Sequence, residues 1–311
     1  MADTGTELEP DEFVREVNRI HHDVAANEYE QRHKNIHLEN ERIWQSLLPC
    51  AARVFDPHQR LNILDFGAGT GFAAEQIVRC FGPERIAGVT LVEPSAAMRE
   101  KACRKFDAQG VGYKTYGTLA ALPEEDARYH IVCENSVLHH VPDPYRCLRS
   151  LANRVGERGV LILGQEPNRR FADGALAAIN RWGRSVLPRG WRPIGAETGD
   201  EERKRVGRAL LEHGIIRREI STADLGMLID FWVPRPWHAE RRVEPLGFDK
   251  DDIVGALDGF RLLAYVSYQH LGRPLPTLNR HLLFLDKTLR LLFPSAGQEF
   301  GLVLARNAGL K

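Results

Sequence analysis

Apolar positions along this chain fall into two rhythms, and their alternation lays out the fold. Leu61 to Phe66 form an almost continuous apolar run, the pattern of a strand buried on both faces in a helix-covered parallel sheet. From Phe72 to Phe81 the spacing turns helical through Ala73, Ile77, Val78 and Phe81, and Gly82-Pro83 stops it. Ile86 to Val92 is a strand again. Pro94-Ser95 then starts a helix whose buried face is Ala97, Met98, Ala102 and Phe106. Val111 to Tyr116 and Tyr129 to Glu134 make the third and fourth strands, Asp143 to Val155 a helix, and Gly159 to Gly164 the fifth strand. This alternation predicts an α/β protein with a doubly wound, mostly parallel sheet and a ligand site at the carboxyl ends of its strands.

The flanks read differently. Residues 1 to about 10 are expected to be disordered. Helical spacing follows from Asp11 through Phe13, Val17 and Ile20, and again from about Glu39 to Val54 through Ile43, Trp44, Leu47 and Leu48. Beyond the fifth strand, residues 168–246 interrupt the strand-helix rhythm. Phe171, Leu176, Ile179, Trp182 and Val186 trace one helix face among six arginines, Arg169, Arg170, Arg181, Arg184, Arg189 and Arg192. That face either packs on the core with its arginines solvated or docks an anionic substrate or a membrane surface, with core packing the favoured reading. Thr198 to Gly214 and Ser221 to Trp232 read as helices, and Trp232, Trp237 and His238 flank Pro234 and Pro236 in a stiff loop that either walls a pocket or simply packs. From Gly247 the core pattern returns with a short helix, Asp249 to Leu257, and strands at Phe260 to Gln269 and Glu299 to Ala305. Between these strands, Leu278 to Phe293 is an extra apolar helix that either supports a dimer contact or thickens the core.

The chemistry gathers after the first strand. Gly67, Gly69 and Gly71 lack Cβ atoms, so their turn lets the backbone lie against a ligand. Glu93, after the second strand, can accept hydrogen bonds from both hydroxyls of an adenosine ribose. A dinucleotide site would want a third glycine where Phe72 stands, which argues against a nicotinamide-dependent oxidoreductase. Asp65 adds a carboxylate suited to an ammonium group. The run Asp65-x-Gly67-x-Gly69-x-Gly71, followed by Glu93, resembles the class I S-adenosylmethionine-dependent methyltransferases of small-molecule type, most closely over residues 60 to 167.

That resemblance implies a seven-stranded, mostly parallel Rossmann-like sheet with one antiparallel strand. It divides the chain into a helical lid (1–58), a cofactor-binding core (59–167), a helical cap for substrate (168–246) and C-terminal core strands with the extra helix (247–311). S-adenosylmethionine would lie against Asp65, Phe66, Gly67, Ala68, Gly69 and Gly71. It would continue along Glu93, Pro94, Met98, Thr118 and Leu119, where Gly117 or Thr118 stands in place of the family's adenine-binding aspartate. The segment IHHDVAANEYEQRHKNIH is similar to the lid that such enzymes fold over the cofactor. Tyr29 would then cover the cofactor, and His21 or His33 would face substrate. Otherwise it is a solvated arm with surface histidines.

ENSVLHHVPDP, at the end of the fourth strand, resembles the family's segment beneath the methyl group, with His130 in place of the usual aspartate at the strand's start. It places Glu134, Asn135, Ser136, His139 and His140 around the reaction centre. His139 and His140 either accept a proton from a hydroxyl substrate or cap the next helix and pack on the cofactor. No histidine pair shares a helix face with a carboxylate, so no metal site is assigned.

Composition narrows the rest. Lys and Arg number 42 against 42 Asp and Glu, and a neutral chain is not a dedicated nucleic-acid binder. The opening MADTGTELEP is no signal peptide, and charges interrupt every apolar run, so the chain is expected to be cytoplasmic. Five cysteines without a C-x-x-C pair read as reduced, buried thiols. ENSV, where base-modifying enzymes carry an N/D-P-P-aromatic run, argues against nucleic-base methylation. The expectation is methyl transfer to a natural-product, sugar or lipid-like acceptor, with a non-catalytic S-adenosylmethionine-binding regulator or partner subunit as the alternative.

Overall fold

The computed structural model describes residues 4–123, 128–174, 176, 196–231, 247–272, 278 and 280–307. Seven strands form one sheet in the order β3-β2-β1-β4-β5-β7-β6. They are β1 (Leu61–Phe66), β2 (Ile86–Val92), β3 (Tyr113–Tyr116), β4 (Tyr129–Asn135), β5 (Val155–Pro167), β6 (Phe260–Tyr268) and β7 (Glu299–Arg306). Only β7 runs against the others. This is the expected doubly wound, Rossmann-like arrangement. Register aligns the carboxyl ends that matter: Phe66 stands beside Val92 and Glu134, and Glu134 beside Leu163. Gly67, Glu93, Asn135 and Gly164 therefore emerge along one edge.

Alternation within the strands splits the core between the sheet's two faces. Ile63, Ile131, Ile162 and Val303 pack with α3 (Lys34–Ala52), α4 (Phe72–Phe81) and α5 (Ala96–Gln109). Leu64, Val132, Leu161 and Leu304 pack on the other side with α6 (Pro144–Arg154) and α10 (Lys250–Gly255). A third cluster stands apart. Phe13, Val17 and Ile20 of α1 (Pro10–Ala25) meet Val206 and Leu210 of α8 (Ala196–Glu212) and Leu225 and Leu228 of α9 (Thr222–Ile229). Helix α2 (Tyr29–Arg32) links α1 to α3, and α7 (Arg169–Ala172) follows β5.

Several expectations change. Residues 4–9 are placed rather than disordered, because the Thr4 carbonyl accepts from the Arg217 and Arg218 N–H groups at 2.9 and 3.2 Å. Strand β5 begins at Val155, where a helix was expected to end, because Val155 pairs with Tyr129 at the start of β4. Arg169 is not simply solvated: it reaches Asp252 at 2.5 Å. Arg170 likewise pairs with Asp249, at 2.7 Å. The other four arginines, with Trp232, Trp237 and His238, lie outside the described residues. Helix α11 (Arg280–Leu292) does not thicken the core with its apolar residues, since Phe284 is 74% and Leu291 84% exposed while Asp286 is buried. All five cysteines are free, yet only Cys133 is buried and Cys80 is exposed. Among the described residues no helix is long and apolar enough to cross a membrane.

Candidate active site

The turn after β1 hangs from the end of β2. Gly67 and Ala68 donate their N–H groups to the Val92 carbonyl at 2.7 and 3.1 Å. Gly67, Gly69 and Gly71 all adopt positive φ, but they serve different ends. A Cβ on Gly67 would meet Val137 Cγ2 at 2.4 Å, and one on Gly71 would meet Phe106 Cε2 at 2.9 Å. A Cβ on Gly69 would meet nothing nearer than the Gly67 carbonyl oxygen at 4.0 Å. Two glycines let the turn pack on the protein, and the third opens it outward.

Glu93 closes this turn. Its buried carboxylate accepts from Gly69 N–H at 2.9 Å and from Ser95 N–H at 2.8 Å, one bond to each oxygen. Each oxygen keeps a further lone pair for a ligand hydroxyl. Ser95 also caps α5 by accepting from Met98 N–H at 3.1 Å, which buries Met98. Pro94 offers its carbonyl to Arg99 Nη1 at 3.0 Å. Phe66 is half-buried and Ala68 buried at the turn, and Thr118 and Leu119 open the short 3-10 turn after β3. Asp65 is buried and accepts from Ala74 N–H at 3.0 Å, tying β1 to the first turn of α4. Burial pushes its carboxyl up to about 7.

The end of β4 is organised by a carboxylate that the sequence reading missed. Glu166, buried on β5, accepts from the N–H groups of Val137, Leu138 and His139 at 2.8, 2.9 and 3.2 Å, and meets His139 Nδ1 at 3.0 Å. Glu134 lies behind and accepts from Val137 N–H at 3.1 Å. Burial and the charge of Glu166 hold the Glu134 carboxyl well above its ordinary range. Ser136 takes a left-handed φ of 65°, which turns the chain out of the sheet. Asn135 does not stand free at the methyl side: its Oδ1 accepts from Trp44 Nε1 of α3 at 2.8 Å. A side chain at Gly164 would collide with both partners of that bond. Nor do the two histidines cap the next helix, because Asp143 does so, accepting from Arg146 N–H at 2.9 Å. His140 Nδ1 instead bonds the Ile229 carbonyl of α9, and burial together with the neighbouring histidines keeps this imidazole neutral.

Helix α1 docks over the same edge. Asp23 accepts from Ser95 Oγ at 2.6 Å and from Ala97 N–H at 3.3 Å. Burial and the charge of Glu93 push the Tyr29 phenol up to about 12, and its ring stands 4.6 Å from His33 and 6.0 Å from His37. His33 is lowered to about 4, chiefly by burial. The adjacent histidines of α1 part company. His21 turns to Glu202 of α8 at 3.4 Å, while His22 lies 5.5 Å from His140 and 6.3 Å from Tyr29 between ring centres. His22 Nδ1 bonds the Asn18 carbonyl at 2.8 Å. The rotation of about 100° between successive helical residues separates the two, and only packing shows which one faces inward. Asp230 was also missed. One donor atom each from His139, His140 and Asp230 lie within 4.8 Å of one another, although Asp230 follows the histidines by many elements.

A seven-stranded sheet with one antiparallel strand, a glycine turn and an acidic residue clasping it define a nucleoside-binding methyltransferase architecture. Residues 32–198, more than half of the chain, match the family described as methyltransferase domain. The chain belongs to that family, among the S-adenosylmethionine-dependent methyltransferases. Curated relatives include the ubiquinone biosynthesis O-methyltransferase of Maricaulis maris (strain MCS10), 33% identical over 138 residues, covering 43% of this chain and 52% of that protein. The protein of the same name from Azorhizobium caulinodans is 31% identical over 146 residues, covering 45% and 53%. The chain thus spans about half the length of the curated relatives it matches. Among solved structures, a putative S-adenosylmethionine-dependent methyltransferase from Listeria monocytogenes aligns with 11% identity and TM-score 0.43, covering 83% of this chain and 96% of its own.

Proposed function

We propose that the protein transfers the methyl group of S-adenosylmethionine to a hydroxyl of a small-molecule acceptor. The observation that carries this is the Glu93 carboxylate bonded to Gly69 N–H on a turn where, among the described residues, a Cβ at Gly69 would meet nothing nearer than the Gly67 carbonyl oxygen at 4.0 Å. A nucleoside seated there would set its ribose on Glu93, with Tyr29 above and the end of β4 beneath its sulfur. When bound, S-adenosylmethionine supplies an electrophilic methyl carbon and leaves as the neutral thioether.

The protein's own task is to align the acceptor, exclude water and take up a proton. Glu166 fixes the 137–139 turn and the ring of His139. In this reading His22 Nε2 would receive the acceptor's proton, its Nδ1 being bonded to the Asn18 carbonyl. In this reading His139, His140 and the cluster of α1, α8 and α9 form the acceptor side, with α1 packed on α8 and α9 across residues far apart in sequence. The hydroxyl acceptor is supported by the O-methyltransferase names of the curated relatives, and the five free thiols support a reducing, cytoplasmic compartment.

Turnover of labelled S-adenosylmethionine across phenols, catechols, sugars and hydroxylated lipids tests this reading. Methyl transfer to a hydroxyl is expected, with His22→Ala lowering kcat about 10²-fold or more near neutral pH. Tight cofactor binding without transfer to any acceptor would make the protein a non-catalytic S-adenosylmethionine binder instead.

A further inference from the structure

We propose that His139, His140 and Asp230 bind a divalent transition-metal ion, of which Zn2+ is the readiest example, on the acceptor side of the site. Two imidazoles and a carboxylate are a borderline-soft donor set, suited to Zn2+, Fe2+ or Mn2+ rather than to Ca2+. Their donor atoms lie within 4.8 Å of one another. Metal-ligand bonds of about 2.0–2.2 Å draw such a set together by modest side-chain rotation.

The second observation lies behind the donors. Ligating imidazoles are normally oriented through their other ring nitrogen by a carboxylate or a carbonyl. His139 has this support from buried Glu166, whose Oε2 meets Nδ1 at 3.0 Å. His140 has it from the Ile229 carbonyl, also through Nδ1. The Nδ1 of each ring is thereby engaged, so Nε2 is the nitrogen left to ligate in the proposed site, and the ring centres stand 4.0 Å apart. Asp230 is the residue after Ile229, so the carbonyl that orients His140 and the third donor come from the same end of α9. The 3-10 turn that carries the histidines is itself pinned by three N–H bonds to Glu166.

The role follows from the proposed methyl transfer and rests on that reading. An ion here would take the acceptor's oxygen into an open coordination position and lower its pKa. The O–H proton would pass to His22 Nε2, and the bound oxygen would remain as the nucleophile. Acceptors with two adjacent oxygens would be favoured because they can chelate.

Metal-free protein should be titrated with Zn2+ and, separately, with S-adenosylhomocysteine, with bound zinc counted by elemental analysis. One tightly bound zinc is expected, with affinity reduced at least tenfold in both His140→Ala and Asp230→Asn and unchanged in His213→Ala, an exposed histidine just after α8. Co2+ in place of Zn2+ should give visible bands that Asp230→Asn alters. Retained S-adenosylhomocysteine binding in the variants certifies their fold. Absence of zinc binding in wild-type protein that still binds S-adenosylhomocysteine would overturn the metal site alone. Zinc binding equal in all variants would overturn it as well. Zinc binding without nucleoside binding would leave the metal site standing and remove the methyl-transfer reading.

Discussion

Gly67 and Gly69 share a motif and a left-handed backbone, yet they should respond differently to substitution. Gly67→Ala forces a Cβ into Val137 at 2.4 Å and should cost about 1–3 kcal/mol in denaturant unfolding. Gly69→Ala meets only the Gly67 carbonyl oxygen at 4.0 Å, so it should lose about 1–2 kcal/mol from its positive φ alone. Its methyl group should nevertheless weaken S-adenosylhomocysteine binding at least tenfold, as isothermal calorimetry would report. Asp65 makes a pH prediction. Its folded pKa of about 7 exceeds the unfolded value of about 3.9, so the folded state holds the extra proton between these limits. Its contribution to stability is therefore fully present below about pH 4 and is lost as pH rises toward 7, by at most about 1.4 kcal/mol per pH unit. His33, lowered to about 4, acts with the opposite sign over part of the same window. The readout is thus the difference between wild type and Asp65→Asn in unfolding free energy from pH 4.5 to 7.5, which should shift steadily in favour of the variant. A flat difference would refute the assignment. At this scale the glycines and Glu93 were legible because their chemistry is local and lies in one short run. Glu166 was not, because it acts through backbone N–H groups in the turn that follows another strand.

Strand and helix positions were legible wherever the apolar period was clean, as in β1, α4 and β2. The misreadings fall where pairing overrode local pattern. Val155 joined β5 because Tyr129 offers it a ladder partner, and residues 4–9 were ordered by Arg217 and Arg218. The helices that cover the site were legible one at a time, whereas their mutual packing was not. Nothing in the spacing of Phe13, Val17 and Ile20 shows that their partners are Val206, Leu210 and Leu225. This shared cluster yields an element-scale prediction. Phe13, 1% exposed, should cost about 3–5 kcal/mol when cut to Ala if that cluster unfolds together with the sheet. If the cluster opens separately, hydrogen exchange should accelerate in α1, α8 and α9 together while β1, β4 and β5 keep their protection. Acceleration confined to α1 would show that the three helices do not form one unit.

Across the whole molecule, the sheet order places the glycine turn, the β4 turn and Glu166 on one edge, and α1 is tied over that edge by Asp23 to Ser95 and Ala97. The fold class was legible because the strand-helix rhythm predicts a doubly wound sheet, and the resemblance carried by the Asp65 to Glu93 motif implies seven strands with one antiparallel. The acceptor was not, because the proposed acceptor side draws its side chains from α1, the turn after β4 and the end of α9. The central claim, that this edge holds S-adenosylmethionine, is tested most directly by calorimetric titration of wild type and Glu93→Ala with S-adenosylhomocysteine. The account predicts micromolar binding by wild type. It predicts at least a tenfold loss in Glu93→Ala, because the ribose hydroxyls lose their acceptor and the Gly69 turn loses its clasp. No binding by folded wild-type protein, or equal binding by both, would contradict it.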